Sequence, residues 1–256
     1  MTRRVHISSP ANAQLVRIRR LLADPLAYRR LGVAWLEGEH LLQAALARGA
    51  TLDAVFVDAA REHEPAVAAL TRSASQVAVV ESRLWRALST LPSAPAVGAL
   101  MAPRQAQVSR AARTVVLDRL QDAGNVGSIL RSAAAFGVTQ VVALKGSAGL
   151  WSPKVLRAAM GAHFALDLCE EAGDDALSAL GVPLVATSSH DGQWLPQADL
   201  PEPCAWAFGH EGQGLSDALL ARSALRVRIP QPGGEESLNV AAAAAVCLYE
   251  SMRRRQ

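Results

Sequence analysis

Three glycine-containing loops hold the residues whose types and spacing best suit chemistry. The first, Gln121–Gly127, contains Asn125 and leads into a helical pattern that includes Arg131. The second reads FGHEGQGLS and places Glu211 among its glycines, and the third is Gln231–Asn239. Amide, carboxylate and guanidinium groups held in such loops can orient a polar substrate and stabilise an oxygen anion. The three loops are therefore the candidate functional site.

The helix after the first loop has one apolar stripe, formed by Val126, Ile129, Leu130 and Ala133. Arg131 points off this stripe, and Gly127 lies about one turn below it on the same side. We expect Asn125 to cap the helix and Gly127 to leave room for a ligand beside the guanidinium. A surface arginine on an ordinary amphipathic helix fits the same short pattern, so this loop alone leaves both interpretations open.

The second loop has three glycines in six residues directly after an apolar run, and they would let the backbone approach a bound molecule closely. An ordinary strand-to-helix turn capped by Ser216 is the alternative. In the third loop, Ser237 or Asn239 is placed to cap the following helix. The alanines at residues 241–245 predict close packing against that helix, although an alanine-rich composition explains them as well.

All three loops follow strands of a predicted sheet. From residue 114 onward, strands are expected in TVVLDRL, QVVALKG, HFALDLCE, PLVATSS, CAWAFG and ALRVRIP. Helices are expected at Val126–Phe136, Pro153–Met160, Asp174–Leu180, Asp217–Ser223 and Leu238–Arg253. This alternation predicts an α/β fold, with a mostly parallel sheet covered by helices on both faces. Ligands of such sheets bind beyond the carboxyl ends of the strands, where the three loops lie.

The first hundred residues form a separate and smaller α/β pattern. One helix is expected after a cap at Asn12, and another in AWLEGEHLLQAALARGA, ending at Gly49. Short buried strands are expected in LDAVFVD, QVAVVE and PAVGALMA. The polar segment PRQAQVSRAART has no apolar period and is a candidate linker. We therefore expect domains at residues 1–103 and 115–256, joined by residues 104–114.

Composition narrows the class of protein. Half of the 256 residues are apolar and 19% are charged, an ordinary globular balance, and the net charge of +3 suits a polyanionic partner without requiring one. No apolar run reaches the roughly 18 residues that span a bilayer, so no membrane association is expected. The three scattered cysteines predict reduced thiols in a cytoplasm, and the dispersed histidines predict no metal site. The run Arg253–Arg255 is expected to offset the dipole of the last helix.

Taken together and in this order, the loops resemble the three motifs of the SpoU/TrmH family of RNA ribose 2′-O-methyltransferases, within the SPOUT superfamily. The first motif is matched by Asn125, Gly127 and Arg131, and the second by FGHEGQGLS. The third is matched by IP, by Gly233 or Gly234, and by ESLNV, while SPKVLRAAMGAHF also looks like a family segment.

The N-terminal part resembles the L30e-like substrate-binding domain of several members, through Ser9, Asn12, YRR and LEGEHLL. For the C-terminal part the resemblance implies a trefoil knot, in which the last segment threads a loop, and the small residues of the last helix would allow this tight packing. It also implies S-adenosylmethionine (SAM) as cofactor, RNA as partner, and a homodimer formed through the catalytic domain.

The resemblance assigns roles to particular residues. Catalytic roles fall on Arg131, Asn125, Glu211, Ser237 and Asn239. Arg131 would stabilise the developing ribose alkoxide, since a guanidinium is a poor proton acceptor. Cofactor-binding roles fall on Thr187, Phe208, Gly209, Glu211, Gly212, Ile229, Gln231 and Leu238. RNA-binding roles fall on Arg29, Arg30, Arg131 and Arg157.

The expected reaction is methyl transfer from SAM to a ribose 2′-hydroxyl of RNA, with ribosomal RNA as the leading substrate. Transfer RNA is the close alternative, and an inactive RNA-binding protein of the same fold is another. A nicotinamide-dependent oxidoreductase would need a G-x-G-x-x-G turn, which the first loop lacks. The sequence departs from the family pattern at Ala123, Gln231 and Ala241, where proline, methionine and serine are usual; none of these changes removes a catalytic candidate.

Overall fold

A computed structural model describes residues 3–72, 74–89, 91, 93–233 and 237–255. The chain divides into two compact units by its internal contacts. Unit 1 contains Met1–Arg104 and Trp151–Phe164, and unit 2 contains Gln105–Leu150 and Ala165–Gln256. The SPKVLRAAMGAHF segment thus groups with the N-terminal residues.

The strands, in chain order, are β1 (Arg3–Ile7), β2 (Ala34–Glu37), β3 (Ala54–Asp58), β4 (Gln76–Val80), β5 (Val97–Met101), β6 (Thr114–Asp118), β7 (Gln140–Leu144), β8 (Asp167–Ala172), β9 (Leu184–Thr187), β10 (Gln193–Trp194), β11 (Ala205–Gly209) and β12 (Leu225–Arg228). The helices are α1 (Ala13–Ala23), α2 (Ala27–Leu31), α3 (Glu39–Ala47), α4 (Pro65–Thr71), α5 (Ser82–Arg86), α6 (Ala123–Ala135), α7 (Pro153–Ala159), α8 (Asp174–Ala179), α9 (Asp217–Arg222) and α10 (Val240–Arg253). Short 3-10 turns occupy Ala162–Ala165 and Leu195–Gln197.

Unit 1 is built on a mixed sheet in the order β1-β4-β3-β5-β2. Strands β1, β4 and β3 run parallel, while β5 pairs antiparallel with both β3 and β2. The predicted cap at Asn12 is confirmed, because its side chain accepts a hydrogen bond from the Gln14 N–H. The sequence prediction missed β1, whose polar alternation is that of a sheet edge, and β2, which it treated as the entry to α3.

Unit 2 is built on a sheet in the order β10-β12-β9-β11-β6-β7-β8, and all of its described pairings are parallel. Consecutive residues of β6 and β11 are buried, so both faces of the sheet centre are covered. The predicted parallel α/β fold is confirmed. One strand boundary was wrong, because His163–Ala165 lies in a 3-10 turn and β8 begins only at Asp167.

The segment predicted as a linker has no regular secondary structure before β6, but it is anchored to unit 2. Ala106 and Val108 pack against the hydrophobic core that includes Leu180 and Leu184. The Ser109 N–H donates to the buried Gln140 side chain over 2.6 Å. Residues 105–113 therefore form a strap on unit 2, and the sequence pattern had identified only their lack of periodicity.

The C-terminal arginines have specific partners besides the dipole of α10, in whose last turn Arg253 lies. Arg253 and Arg254 both bond the Glu250 carboxylate and lower its pKa to about 2. Arg254 and Arg255 also donate to backbone carbonyls outside α10, those of Leu195, Ala198 and Phe136. The arginines thereby tie the end of the last helix to the rest of unit 2.

Among the described residues, no helix has the length and apolar character that a membrane crossing requires.

Candidate functional site

The site lies where the loops after β12, β9, β11 and β6 meet. These strands are neighbours in that order and parallel, so their carboxyl ends share one edge of the sheet. The loops after β9, β11 and β12 line a cavity of about 570 Å³, within the range typical of small-molecule sites. All eight residues predicted to bind the cofactor line this cavity, and so do Ser237 and Asn239. The structure therefore gathers residues from three distant parts of the chain.

A chain of hydrogen bonds joins the three loops. The Glu211 carboxylate accepts the Asn125 side-chain N–H over 3.2 Å and the backbone N–H groups of Gln121 and Asp122 over 3.4 and 3.2 Å. The side-chain Oδ1 of Asn125 accepts the Asn239 side-chain N–H over 3.0 Å. Each loop thus holds the next, and removal of any one of these side chains breaks the connection.

Asn125 does not cap helix α6, which corrects the sequence prediction. The helix begins at Ala123, and Asp122 is the cap, with its carboxylate accepting the Asn125 N–H over 2.8 Å. Because Asn125 is already inside the helix, its side chain is released to bond the other two loops. In the third loop, Asn239 both caps a helix and bonds another loop. Its side-chain oxygen accepts the N–H groups of Ala241 and Ala242 and so caps α10, while its side-chain N–H donates to Asn125.

The hydrogen bonds at Glu211 keep it ionised. Partial burial opposes the charge, but bonds from its own N–H, from Asn125 and from the N–H groups of Asp122 and Gln121 outweigh burial and lower its pKa. A carboxylate with a lowered pKa is a weak proton acceptor near neutral pH. Glu211 is therefore suited to clamp loops together and poorly suited to act as a general base.

The second loop folds back on itself so tightly that Gly209 has no room for a side chain. A Cβ there would lie 2.2 Å from the backbone carbon of Gly214. The ring Nδ1 of His210 accepts the N–H groups of Gly212 and Gln213 over 3.0 and 3.2 Å, which fixes the turn. His210 thus has a structural part in the loop.

Asp118 and Arg119, at the end of β6, support the same loop and were missed in the sequence. The buried Asp118 carboxylate accepts the Ser216 N–H over 2.7 Å and pairs with Arg119 over 3.0 Å. Arg119 has a positive φ of 56° and donates to the Gln213 side chain over 3.0 Å. The available signal was a carboxylate directly after the apolar run of residues 115–117. Ser216, the predicted cap of α9, stands at the cap position without a side-chain bond.

Gln231 presents an unsatisfied acceptor at the cavity. Its Oε1 is buried and has no hydrogen-bond partner among the described residues, although the residue itself lines the cavity. A buried acceptor without a partner costs free energy that a bound donor recovers. Gly233 is exposed, and Gly234 and Glu236, which the third motif also includes, fall outside the described residues.

Arg131 stands on α6, six residues beyond Asn125, and is exposed. It does not line the cavity, and no described residue hydrogen-bonds or ion-pairs with its guanidinium. Gly127 is buried on α6 with Val126 and Leu130, and the room that it was expected to leave beside Arg131 stays a prediction. The arginine is left available to an external anion.

The other predicted RNA-binding arginines belong to unit 1. Arg29 bonds the Tyr28 hydroxyl over 3.2 Å, and the exposed Arg30 pairs with Asp24 over 2.6 Å. Arg157, on α7, pairs with the buried Glu37 over 3.5 Å, and its side chain is 30% exposed. These pairings are within unit 1, and the RNA-binding role of the three arginines stays a prediction.

Glycine-dense loops, joined by hydrogen bonds to a carboxylate at the carboxyl edge of a parallel sheet, are typical of an α/β enzyme with a small-molecule cofactor cavity. The described residues bring no group of three or more His, Cys, Asp or Glu side chains together in a metal-binding arrangement. Residues 112–249 match the model of the SpoU rRNA Methylase family. The chain belongs to this family.

Individual relatives agree with the family match along nearly the whole chain. An uncharacterized tRNA/rRNA methyltransferase of Synechocystis is 34% identical over 94% of this chain and 91% of its own length. The 23S rRNA (guanosine(2553)-2′-O)-methyltransferase RlmP of Bacillus subtilis is 29% identical over 84% of this chain and 86% of its own. The solved structure of the SpoU methyltransferase AviRb from Streptomyces viridochromogenes, in complex with the cofactor AdoMet, superposes with a TM-score of 0.86 at 26% identity, covering 95% of this chain and 98% of that one.

Proposed function

We propose that this protein transfers a methyl group from SAM to a ribose 2′-hydroxyl of ribosomal RNA. The chain is a SpoU-family methyltransferase, and relatives such as RlmP and AviRb carry names of rRNA or SpoU methyltransferases. The observation that supports the proposal most directly is the cavity, two of whose lining residues, Glu211 and Asn239, are joined by hydrogen bonds through Asn125. These bonds join the three motifs by which the sequence resembled this family.

The cavity residues fit SAM. The cavity volume of about 570 Å³ suits a nucleoside-sized ligand, and the folded second loop offers backbone groups along one wall of the cavity. The Gln231 acceptor without a partner is placed for a ligand donor. When bound, SAM supplies an electrophilic methyl group on a positively charged sulfonium. Phe208, Ile229 and Leu238 would pack on its apolar parts, and Thr187 would bound the site at the end of β9.

The protein contributes positioning and charge. Arg131 would stabilise the negative charge that develops on the ribose 2′-oxygen and hold a neighbouring phosphate, since no described side chain competes for its guanidinium. Glu211 would hold the second loop against the start of α6, and its lowered pKa argues against a role as the base that removes the hydroxyl proton. Ser237 and Asn239 would arrange the third loop. Fixed geometry of this kind supplies much of the rate in a displacement reaction.

Ribosomal RNA is favoured over transfer RNA by the name of RlmP, a 23S rRNA methyltransferase that covers 84% of this chain. A solved structure concerned with 2′-OH methylation of position 34 on tRNA covers 56% of this chain at 34% identity, and this match keeps tRNA as the second candidate. The complete Glu211–Asn125–Asn239 chain is what distinguishes the proposal from an inactive RNA-binding protein. We also propose that unit 1 binds the RNA substrate, through Arg29, Arg30 and Arg157.

We also propose a homodimer, a trefoil knot and a cytoplasmic location. The exposed row of Val246 and Tyr249 on α10, with the side chains 41% and 50% exposed, offers an apolar surface for a second copy. The small residues at 241–245 suit a threaded last helix. The cytoplasmic location is supported by the bacterial relative RlmP, by the proposed rRNA substrate and by buried free cysteines such as Cys204, which stay reduced there.

The test is a map of 2′-O-methylation across total RNA from a deletion strain. One rRNA position should lose its mark and regain it with the wild-type gene. Arg131→Ala should fail to restore the mark and should lower kcat by about 100-fold or more, while SAM still binds by calorimetry with wild-type affinity. Arg131→Lys keeps the charge and should recover part of the activity. Full restoration by Arg131→Ala would exclude the assigned role, and loss of a tRNA mark instead would favour the second candidate.

A further inference from the structure

A tryptophan and an arginine that none of the family motifs includes form a pair at the edge of unit 2. Trp194 lies on β10, the outermost strand of the sheet, directly opposite Arg228 on β12. The guanidinium carbon of Arg228 lies 3.7 Å from the centre of the Trp194 ring, which is a close cation–π stack. Gly192 permits this approach, because it has a φ of 112° and a Cβ there would lie 2.5 Å from the Arg226 carbonyl oxygen.

In the part of the chain that the structure describes, the arginine of this pair has no anionic partner. Its Nε is buried, and no described residue accepts a hydrogen bond from it or forms an ion pair with its guanidinium. The neighbouring Arg226 differs, since Asp191 pairs with it over 2.8 Å. Asp191 also accepts the Ser188 hydroxyl, and these bonds lower its pKa. Asp191 is thus engaged by Arg226 and Ser188, and among the described residues Arg228 is a cation placed for an external anion.

The tryptophan of the pair remains open to solvent. Trp194 is 38% exposed, whereas the other four tryptophans of the chain are between 2% and 3% exposed. An exposed aromatic ring with a guanidinium stacked on it is the arrangement on which an unpaired nucleobase stacks, while the cation meets the adjoining phosphate.

The pair also adjoins the cofactor cavity. Ile229 follows Arg228 directly and lines the cavity, and so does His190, which precedes β10 by three residues. An RNA strand that enters the site from this edge of the sheet would therefore pass over Trp194.

We propose that Trp194 and Arg228 form a stacking platform for an unpaired nucleotide of the RNA substrate, next to the nucleotide that is methylated. This inference rests on the proposed function for the identity of the substrate. The base would stack on the indole and its phosphate would contact the guanidinium, so the platform is tolerant of sequence and specific for single-stranded RNA.

Fluorescence tests the platform without methylation. Because the other tryptophans are buried, acrylamide quenches mainly Trp194. A single-stranded oligoribonucleotide of about 12 residues should protect this fluorescence from quenching, and the protected component should be missing in Trp194→Phe. Unchanged quenching at RNA concentrations that saturate binding would overturn the proposal.

Steady-state kinetics on unmethylated rRNA fragments test the same platform in the reaction. Trp194→Ala should raise KM for RNA about 5- to 10-fold, as expected for loss of one stacked base, with kcat and SAM affinity unchanged. Trp194→Phe, which keeps a ring, should stay within about 2-fold of wild type. Wild-type KM in Trp194→Ala would contradict the platform, as would a lowered melting temperature that accounts for the whole effect.

The salt dependence of RNA binding isolates the phosphate contact. Arg228→Ala should reduce the slope of log affinity against log salt by about 0.7, the value for one phosphate of a single strand. The control is Arg110→Ala. Arg110 is an exposed residue of the strap, and the neighbouring Ala111 N–H donates to the Leu180 carbonyl. Leu180 precedes β9, so the control lies at the amino ends of the strands. Equal slopes for the two variants would refute the contact. If wild type bound no SAM, the proposed function would fail, and quenching would still decide the platform.

Discussion

Substitution of Glu211 by glutamine offers the most direct test of how the site is held together. The carboxylate accepts three N–H groups, two on Oε1 and one on Oε2. A glutamine has one acceptor oxygen, so its NH2 group must face at least one of these donors. The substitution therefore replaces an attraction by a repulsion while it changes the size of the side chain very little.

The expected magnitude follows from the number and exposure of these bonds. A hydrogen bond to a charged group contributes about 1.5–3 kcal/mol, and the exposure of Glu211 reduces this toward about 1 kcal/mol. We expect Glu211→Gln to weaken SAM binding by about 1–1.4 kcal/mol, which is about 5- to 10-fold in Kd. Glu211→Ala, which removes all three acceptors, should weaken it further.

The same clamp predicts how SAM binding depends on pH. The folded-state pKa of Glu211 lies below the ordinary 4.5, so the stabilisation is fully present above that value and is lost as pH falls through the folded-state pKa. SAM affinity of the wild type should therefore decline below about pH 4.5, and Glu211→Gln should lack this acid-dependent component.

Isothermal titration with SAM is the assay, and Asp199→Asn, at an exposed carboxylate outside the site, is the control. The control should bind SAM with wild-type affinity. Wild-type SAM affinity in Glu211→Gln would show that the carboxylate does not hold the loops of the cavity together. The same loss of SAM affinity at low pH in Glu211→Gln as in the wild type would show this too.

Three further predictions test other parts of unit 2. Gly209→Ala should abolish SAM binding while most of the fold remains, because its Cβ would lie 2.2 Å from the backbone of Gly214; calorimetric binding at wild-type strength would contradict this packing. Arg254→Ala should lower the free energy of unfolding by about 1–3 kcal/mol, since it removes bonds to two backbone carbonyls and a carboxylate. Arg253→Ala removes bonds to the carboxylate alone and should cost less in thermal melts, and equal losses would refute the anchor. Burial raises the pKa of Cys204 to about 12, so a thiol reagent at pH 8 should label it only after unfolding, and rapid labelling of the native protein would contradict its burial.

The sequence alone determined the fold class and the location of the site. Apolar runs alternating with helical patterns require a parallel sheet, because such strands must be covered on both faces. Parallel strands end at one edge, so glycine-dense loops after three of them had to converge. For this reason the predicted cofactor residues line one cavity, although Thr187 and Leu238 lie far apart in the chain.

Only the tertiary structure decided which side chains hold the loops together. The sequence indicated Asn125 as a cap, since helix caps follow from local spacing. Its actual partners, Glu211 and Asn239, depend on strand order, which residue periodicity does not encode. Asp118 and the pair of Trp194 with Arg228 were missed for the same reason. Local periodicity fixes the elements of this protein, and long-range packing of the strands fixes the contacts of its site.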